Sequence, residues 1–513
     1  MAYFLRKSII ALLCFLPGTI LADVSLPAIF SDNMVLQREI AISVWGNASA
    51  NEEITIELDT QRVTITADAG GTWQIHLSPM EAGGPYQLTV RGKNVVTFNN
   101  VMVGEVWVCS GQSNMAWLVR RSQNPEEEIK AADYPNIRLF TVKRNAAQRP
   151  AQDVEGTWSV CDTSSVGNFS AVAYYFGRRL HKSLNVPIGL INTSWGGTPA
   201  EAWTSLPALQ VIPEYAPLGK RWAEYIAAYP EAQKEYQTRL AFWQANIDSL
   251  RALGQRRPRR PWRNPNSPHR PSALYNGMIA PIVSYGIRGA IWYQGESNAG
   301  RAYQYRALFP AMIQNWRSSW GQGAFPFFFV QLANFRQVKE NPEESAWAEL
   351  REAQLMALSL PNTGMAVAID IGEADDIHPK NKQDVGLRLA LGAEATVYGV
   401  EQPHSGPIYR SMAVEKNKIR LKFDHAYGGL KAKGDMLKGF AIADQDSKFV
   451  WAEAKIDVDD VLVWSKDVPQ PVAVRYAWAD NPICNLYNGA DLPASPFRTD
   501  DWRGITADHL YRR

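Results

Sequence analysis

Cysteine and histidine are scarce in this chain, four and seven among 513 residues. No CxxC or HExxH spacing occurs, so a structural or catalytic zinc has no support in the pattern. There is no GxSxG elbow either, which speaks against a lipase or peptidase of the α/β-hydrolase type. Charge of one sign is also lacking. The 53 basic residues face 51 acidic ones, and loss of Arg6 and Lys7 with a leader would leave 51 against 51. A balanced chain is a poor match for nucleic acid. Past residue 22 no apolar run approaches bilayer-spanning length. Residues 1–22 themselves read as a signal peptide. Arg6 and Lys7 form its positive end, 9–16 its apolar stretch, and Ala22 a small residue at the cut. Pro17 and Gly18 interrupt the run, so the mature protein is expected outside the cytoplasm, secreted or periplasmic, with no membrane span. Cys109, Cys161 and Cys484 would then remain, enough for one disulfide whose pairing the sequence does not choose.

What is present is a folding composition, 46% hydrophobic and 20% charged, long enough for two to four domains. Residues 23–103 hold short alternating runs at 40–44, 54–58, 63–67, 73–77 and 86–90, divided by Asn, Asp and Gly. That spacing predicts an antiparallel β-sandwich. Over 104–404 apolar runs alternate with helical periodicity. Strands are expected at 106–109, 188–192, 288–293, 325–332 and 365–371, and helices at 171–184, 274–284, 303–320, 345–358 and 384–398. Alternation of this kind calls for a doubly wound parallel sheet with both faces covered. A helical and then basic, proline-rich insertion occupies about 213–270, its 255–270 end read as an exposed loop rather than an anion-binding patch. Residues 405–513 return to short strands and end in a Pro-, Asn- and Gly-rich tail suited to wrapping over another domain.

In open α/β sheets ligands bind at the carboxyl ends of the strands. Those ends carry, in order, Ser113, then Gly196 and Gly197, then Gln294, then Asp375 with His378. Val106 to Cys109 reads as a buried strand broken by Ser110 and Gly111, which predicts Ser113 on a tight strand-to-helix turn. A helix N-terminus behind that turn would offer N–H groups to a developing negative charge. A serine nucleophile needs a base, a carboxylate to orient the base, and donors for the oxyanion. His378 is the one histidine with an aspartate three residues before it, so it is the expected base. Asp375 is favoured as its partner, and the adjacent Asp376 competes. Asn114, Glu201, Trp203, Trp292, Glu296 and Asn298 are close enough in sequence to support the site or touch substrate, with a supporting role favoured for Glu296. Trp117 and Trp195 are further candidates for the pocket wall, core packing being the default for each tryptophan.

Four motifs in order, SGQSNM at 110–115, WGGT at 195–198, WYQGESN at 292–298 and DDIHPKNK at 375–382, resemble the sialate O-acetylesterase family of SGNH hydrolases. The resemblance extends through both flanking β-regions. It implies a flavodoxin-like three-layer α/β domain between β-sandwich domains. It also implies Ser113 as nucleophile, His378 as base, Asp375 as its partner, and an oxyanion hole from the Ser113 amide, a glycine of the 196–197 pair and Gln294. SGNH enzymes in general carry Asn where this chain has Gln294, which puts the donor geometry at that position in doubt. The implied reaction removes an acetyl ester from a sugar hydroxyl through an acetyl-enzyme, with no cofactor and no metal, and the partner is an O-acetylated carbohydrate.

Three readings compete. A sialate would favour a cationic pocket; acetylated plant polysaccharide such as xylan or xyloglucan would favour aromatic platforms, and the 18 tryptophans lean toward the second. A non-catalytic carbohydrate-binding protein is the third reading, weakened because every catalytic position is filled. Oligomeric state is not legible.

Overall fold

The computed structural model describes residues 23–253, 264 and 266–511. The expected leader and most of the basic stretch at 255–270 lie outside the described residues.

One strand runs through the centre of the molecule. Strand β1, Val95–Gly111, is 17 residues long, and its burial changes character along its length. Up to Asn100 exposed and half-buried residues alternate; from Val101 every residue is buried. The first half is an antiparallel sheet strand with one wet face, the second a parallel strand covered on both faces. The 103/104 point therefore falls inside a continuous strand, not in a linker. Its first half pairs antiparallel with Gly83–Arg91, and Val35–Gln37 joins it in parallel. Glu53–Leu58 and Gln61–Thr66 complete this sheet, and Ile42–Asn47 pairs separately with Thr72–Leu77.

The second half of β1 is the middle of the central sheet. With β2 Tyr134–Thr141, β3 Trp158–Cys161, β4 Ile188–Asn192, β5 Gly289–Tyr293, β6 Phe327–Gln331 and β7 Thr363–Val367, the order is β7-β6-β5-β1-β4-β2-β3. Six strands are parallel. The edge strand β3 is antiparallel to β2, so the sheet is mixed, not wholly parallel as expected. A four-residue edge strand limits the length of open backbone on that side.

Helices cover both faces, and the period-two alternation of the strands explains how. Phe328 lies in van der Waals reach of Gly392 in helix α5, Lys382–Thr396. Its neighbours Phe327 and Phe329 meet Phe309 of helix α3, Ala302–Trp320, at 6.3 and 5.0 Å between ring centroids. Helix α1, Ala171–Leu184, packs on α5 and sends Phe176 edge-on against Trp107. It starts where the Ser170 hydroxyl accepts from the Ala173 N–H and stops at Asn185 in the left-handed conformation. Helix α2, Leu218–Ala252, belongs to the insertion, and α4, Ala346–Met356, packs on α3.

The C-terminal strands form two four-stranded antiparallel sheets and a two-stranded one, with their own core of Ile419, Leu421, Phe440, Ile442, Val461, Val463, Val474, Tyr476 and Phe497. The tail then returns to the central α/β unit. Tyr511 is buried there, and its N–H donates to Gln304 of α3. Among the described residues, Cys109, Cys161 and Cys484 are free thiols. No helix among them is long and apolar enough to cross a membrane.

Candidate active site

The carboxyl ends of β1, β4, β5 and β7 converge where the strand order reverses, with β4 and β5 on either side of β1. At the tip of β1, Gly111 has φ +140°, and a side chain there would lie 2.2 Å from the Tyr293 carbonyl oxygen. Only glycine lets β5 approach this closely. The Gln112 N–H then donates to that same carbonyl at 3.0 Å, and the Ala116 N–H closes one turn onto the Gln112 carbonyl at 2.9 Å. Ser113 sits on this single turn, partly exposed. No α-helix follows it; the next element is a three-residue 3-10 turn, Val119–Arg121. The expected helix N-terminus directly behind Ser113 is absent, and Leu118 leaves the turn in extended backbone.

The glycine pair comes alongside through the Trp195 N–H, which donates to the Gly111 carbonyl at 3.0 Å. A Cβ on Gly196 would be 3.2 Å from the Ser113 Cβ, so the backbone there lies directly against the serine. Among the described residues, the backbone N–H groups of Ser113, Gly196 and Gly197 have no hydrogen-bond acceptor. Uncommitted N–H groups beside a hydroxyl are what an oxyanion hole requires.

Gln294 departs from its expected part. It is fully buried. Its Nε2 donates to Asn298 Oδ1 at 2.7 Å and to the Thr198 carbonyl at 3.3 Å, while its Oε1 accepts from the Tyr305 hydroxyl at 2.9 Å. Both amide hydrogens are committed, so the side chain has none left for a substrate oxyanion. Gln294 instead ties the β5 end to the segment that carries Gly196 and Gly197. Glu201 and Asn298 continue the same buried lattice. The Glu201 carboxylate accepts from Tyr215 at 2.7 Å, Asn298 at 2.9 Å and Arg301 at 2.8 Å.

After β7, His378 is half-buried, with its ring stacked on Trp117 at 5.1 Å and 15°. Its Nδ1 lies 3.3 Å from Asp376 Oδ1, and its backbone N–H donates to that same oxygen at 2.9 Å. This corrects the preference for Asp375. The Asx turn folds the carboxylate two residues back, not three, onto the imidazole. Asp375 is exposed and instead accepts from Gln337 Nε2 at 2.7 Å. Burial lowers the pKa of His378 below the ordinary histidine value, Asp376 opposes this, and Lys382 adds to it. The imidazole is therefore neutral at pH 7, as a base must be.

Trp292 and Trp203 are fully buried and edge-on to one another at 6.0 Å, so neither reaches substrate. Trp117 and Trp195 are the half-exposed pair flanking Ser113. The Arg121 guanidinium lies 6.0 Å from the Trp117 ring and Arg144 lies 5.7 Å from that of Trp195. Sequence reasoning passed over both arginines, and also Lys382, a fully buried lysine next to His378. No local pattern separates a buried lysine at a helix start from the usual exposed one. Among the described residues no three His, Cys, Asp or Glu side chains gather as metal ligands.

A serine beside free backbone donors, with a neutral histidine oriented by a carboxylate, defines a serine ester hydrolase on an α/β sheet. The family model for the carbohydrate esterase, sialic acid-specific acetylesterase family matches residues 103–250 and 252–395, and the chain belongs to that family. It is 31% identical to the sialate O-acetylesterase of Rattus norvegicus, over 92% of this chain and 93% of the relative. The Homo sapiens sialate O-acetylesterase is 30% identical, with 91% of each covered. A crystal structure of a carbohydrate acetylesterase from Xanthomonas citri matches with TM-score 0.81 and 38% identity, over 93% of this chain and all of that one. The class is thus a carbohydrate O-acetylesterase with a serine nucleophile.

Proposed function

We propose that the protein is an exported esterase that removes O-acetyl groups from sialic acid-type sugars through an acetyl-enzyme. Ser113 Oγ attacks the acetyl carbonyl as its proton passes to His378 Nε2, the nitrogen turned away from Asp376. The N–H groups of Ser113 and of the glycine pair receive the oxyanion. His378 returns the proton to the departing sugar hydroxyl. Water, deprotonated by the same imidazole, then releases acetate and restores the serine. Asp376 holds the imidazole tautomer and balances the imidazolium that forms. The arrangement of helices on both faces of the sheet supports an SGNH-type, flavodoxin-like three-layer catalytic domain. Residues 1–22 are the proposed export signal.

The observation that carries the reading is the Ser113 turn, with the uncommitted N–H groups of Ser113, Gly196 and Gly197 there and a neutral histidine on the loop after β7. Arg144 and Arg121 supply positive charge at the rings flanking Ser113, which favours an acidic sugar. The exposed faces of Trp117 and Trp195 keep acetylated xylan or xyloglucan as the second reading. Parallel acetate-release assays on O-acetylated sialic acid and on acetylated xylan or xyloglucan oligosaccharides decide between them. The sialate reading expects Arg144→Gln to lower kcat/KM on the acidic sugar about tenfold or more and to leave a neutral acetyl ester almost unchanged. Turnover confined to the neutral oligosaccharides would replace it with the second.

A further inference from the structure

Lys382 is fully buried at the first position of α5, where the helix dipole is unfavourable to a cation. Among the described residues no carboxylate lies within ion-pair distance of it. Its ammonium donates to Asn114 Oδ1 at 2.6 Å and faces the rings of Tyr293 at 5.3 Å and Trp117 at 5.9 Å. A lysine is kept in such a place at a cost, so its partners show what it does. Asn114 follows the nucleophile directly. The other end of its amide donates to Glu296 at 2.5 Å and to the Ile377 carbonyl, one residue before His378, at 3.0 Å. An amide has two ends that look alike sterically, and only the donor at Lys382 together with the acceptors at Glu296 and Ile377 makes one orientation right. The His378 ring stacks on Trp117, the ring that Lys382 also faces.

We propose that Lys382 is a positioning residue of the esterase reaction. It fixes the Asn114 amide that joins the Ser113 turn to the His378 segment, and its positive charge opposes a second one on the nearby imidazole. The groups facing Lys382 are Glu296 beyond β5, Asp376 and Glu373 on the loop after β7, Asn114 and Trp117 after β1, and Tyr293 at the end of β5. Arg121 lies against Trp117 from the Val119–Arg121 turn. Burial is the main influence on the lysine and pushes it down to about 7, against the pull of the three carboxylates. Below that pH it is charged, which is the range in which the histidine titrates. Its charge depresses the histidine, as stated above, so removing it moves the histidine up.

Two variants separate the two parts of this role. Lys382→Met removes both donor and charge. It is expected to lower kcat about 10²-fold with KM within a few-fold, and to move the acid limb of the kcat/KM profile up by about half a pH unit or more. Lys382→Gln keeps a donor for Asn114 without charge. It is expected to recover most of kcat while keeping the raised acid limb. A residue that merely fills space would lower the melting temperature and leave both quantities alone. Should the Met variant not fold, the Gln variant decides, because an unmoved acid limb there overturns the proposal. The proposal rests on the esterase reading, so a readout without turnover keeps the two apart. Proton NMR titration of His378, identified with His378→Asn, in Ser113→Ala with and without Lys382→Gln should show the same upward shift. An unmoved His378 titration overturns the role of Lys382 whatever the enzyme's activity, whereas absence of acetate release by wild type refutes only the esterase reading.

Discussion

The two β-regions attach to the catalytic sheet in opposite ways. The N-terminal one shares a strand with it and shares its core: Ile54, Val90 and Val101 belong to the same buried cluster as Trp107, Phe176 and Phe328. At the junction the buried Glu105 carboxylate receives Arg38, Arg288 and the Tyr398 hydroxyl, three segments of the chain on one side chain. The C-terminal region has a separate core and docks through polar groups. Arg351 is fully buried and gives its guanidinium to the carbonyls of Leu332, Ala333, Ala479 and Asp480. Asn481 and Asp480 bond Asn334 and Arg336. Those two residues in turn hold Gly372 and Ala374 on the catalytic loop. A shared strand makes two regions one folding unit; a polar dock lets one region set a loop while keeping its own stability. The N-terminal region is thus built into the central sheet, and the C-terminal region touches the loop that carries His378 through Asn334 and Arg336.

The largest effect is expected at Glu105. Glu105→Ala takes a fully buried acceptor from Arg38, Arg288 and Tyr398, leaves the two half-buried arginines only Glu39, and should destabilise the N-terminal and catalytic regions together by about 3–5 kcal/mol, as one calorimetric transition. A melt in which the N-terminal region unfolds separately would break the comparison. The pH dependence follows the same residue. Its arginine partners outweigh burial and lower its pKa in the fold, so its contribution is complete above the ordinary glutamate range. It is lost as pH falls through the depressed value. The wild type should therefore lose stability on acidification more steeply than Glu105→Ala, measured as melting temperature against pH.

Arg351→Leu comes next. Four carbonyls lose their donor, and about 2–4 kcal/mol should be lost from the dock. Calorimetry should show the C-terminal transition moving away from the catalytic one, with kcat reduced by the loosened loop. A single unshifted transition would mean that the dock is not polar in its energetics. The smallest effect is expected at Gln337→Ala. It frees the exposed Asp375 and should reduce kcat only a few-fold, at most about 1 kcal/mol. A loss as large as that of Asp376→Asn would restore Asp375 to the orienting role.

Much of this fold could be read from the chain where one physical signal dominated. Residues 188–192 are a continuous apolar run and form a fully buried strand over that range. Helix α1 carries its own start and stop in Ser170 and Asn185. The length of β1 was hidden because Asn99, Asn100 and Gly104 look like breakers. Asn100 is indeed left-handed, with φ 56°, yet the strand passes through it. Strands β2 and β3 were missed because Pro135 and a polar stretch from Lys143 to Gly156 mask them. At the candidate site, the placing of Ser113 beside the glycine pair was legible from strand ends alone. The choice between Asp375 and Asp376 was not, since only the Asx turn at His378 decides it. Gln294 read as a donor because residue type says nothing of what its hydrogens already serve.

Ser113 as nucleophile is tested most directly by acetate released from an O-acetylated sugar by wild type and by Ser113→Ala, each checked for the same melting temperature. Loss of the hydroxyl should lower kcat about 10³-fold or more. Equal rates of release from the two folded proteins would contradict it.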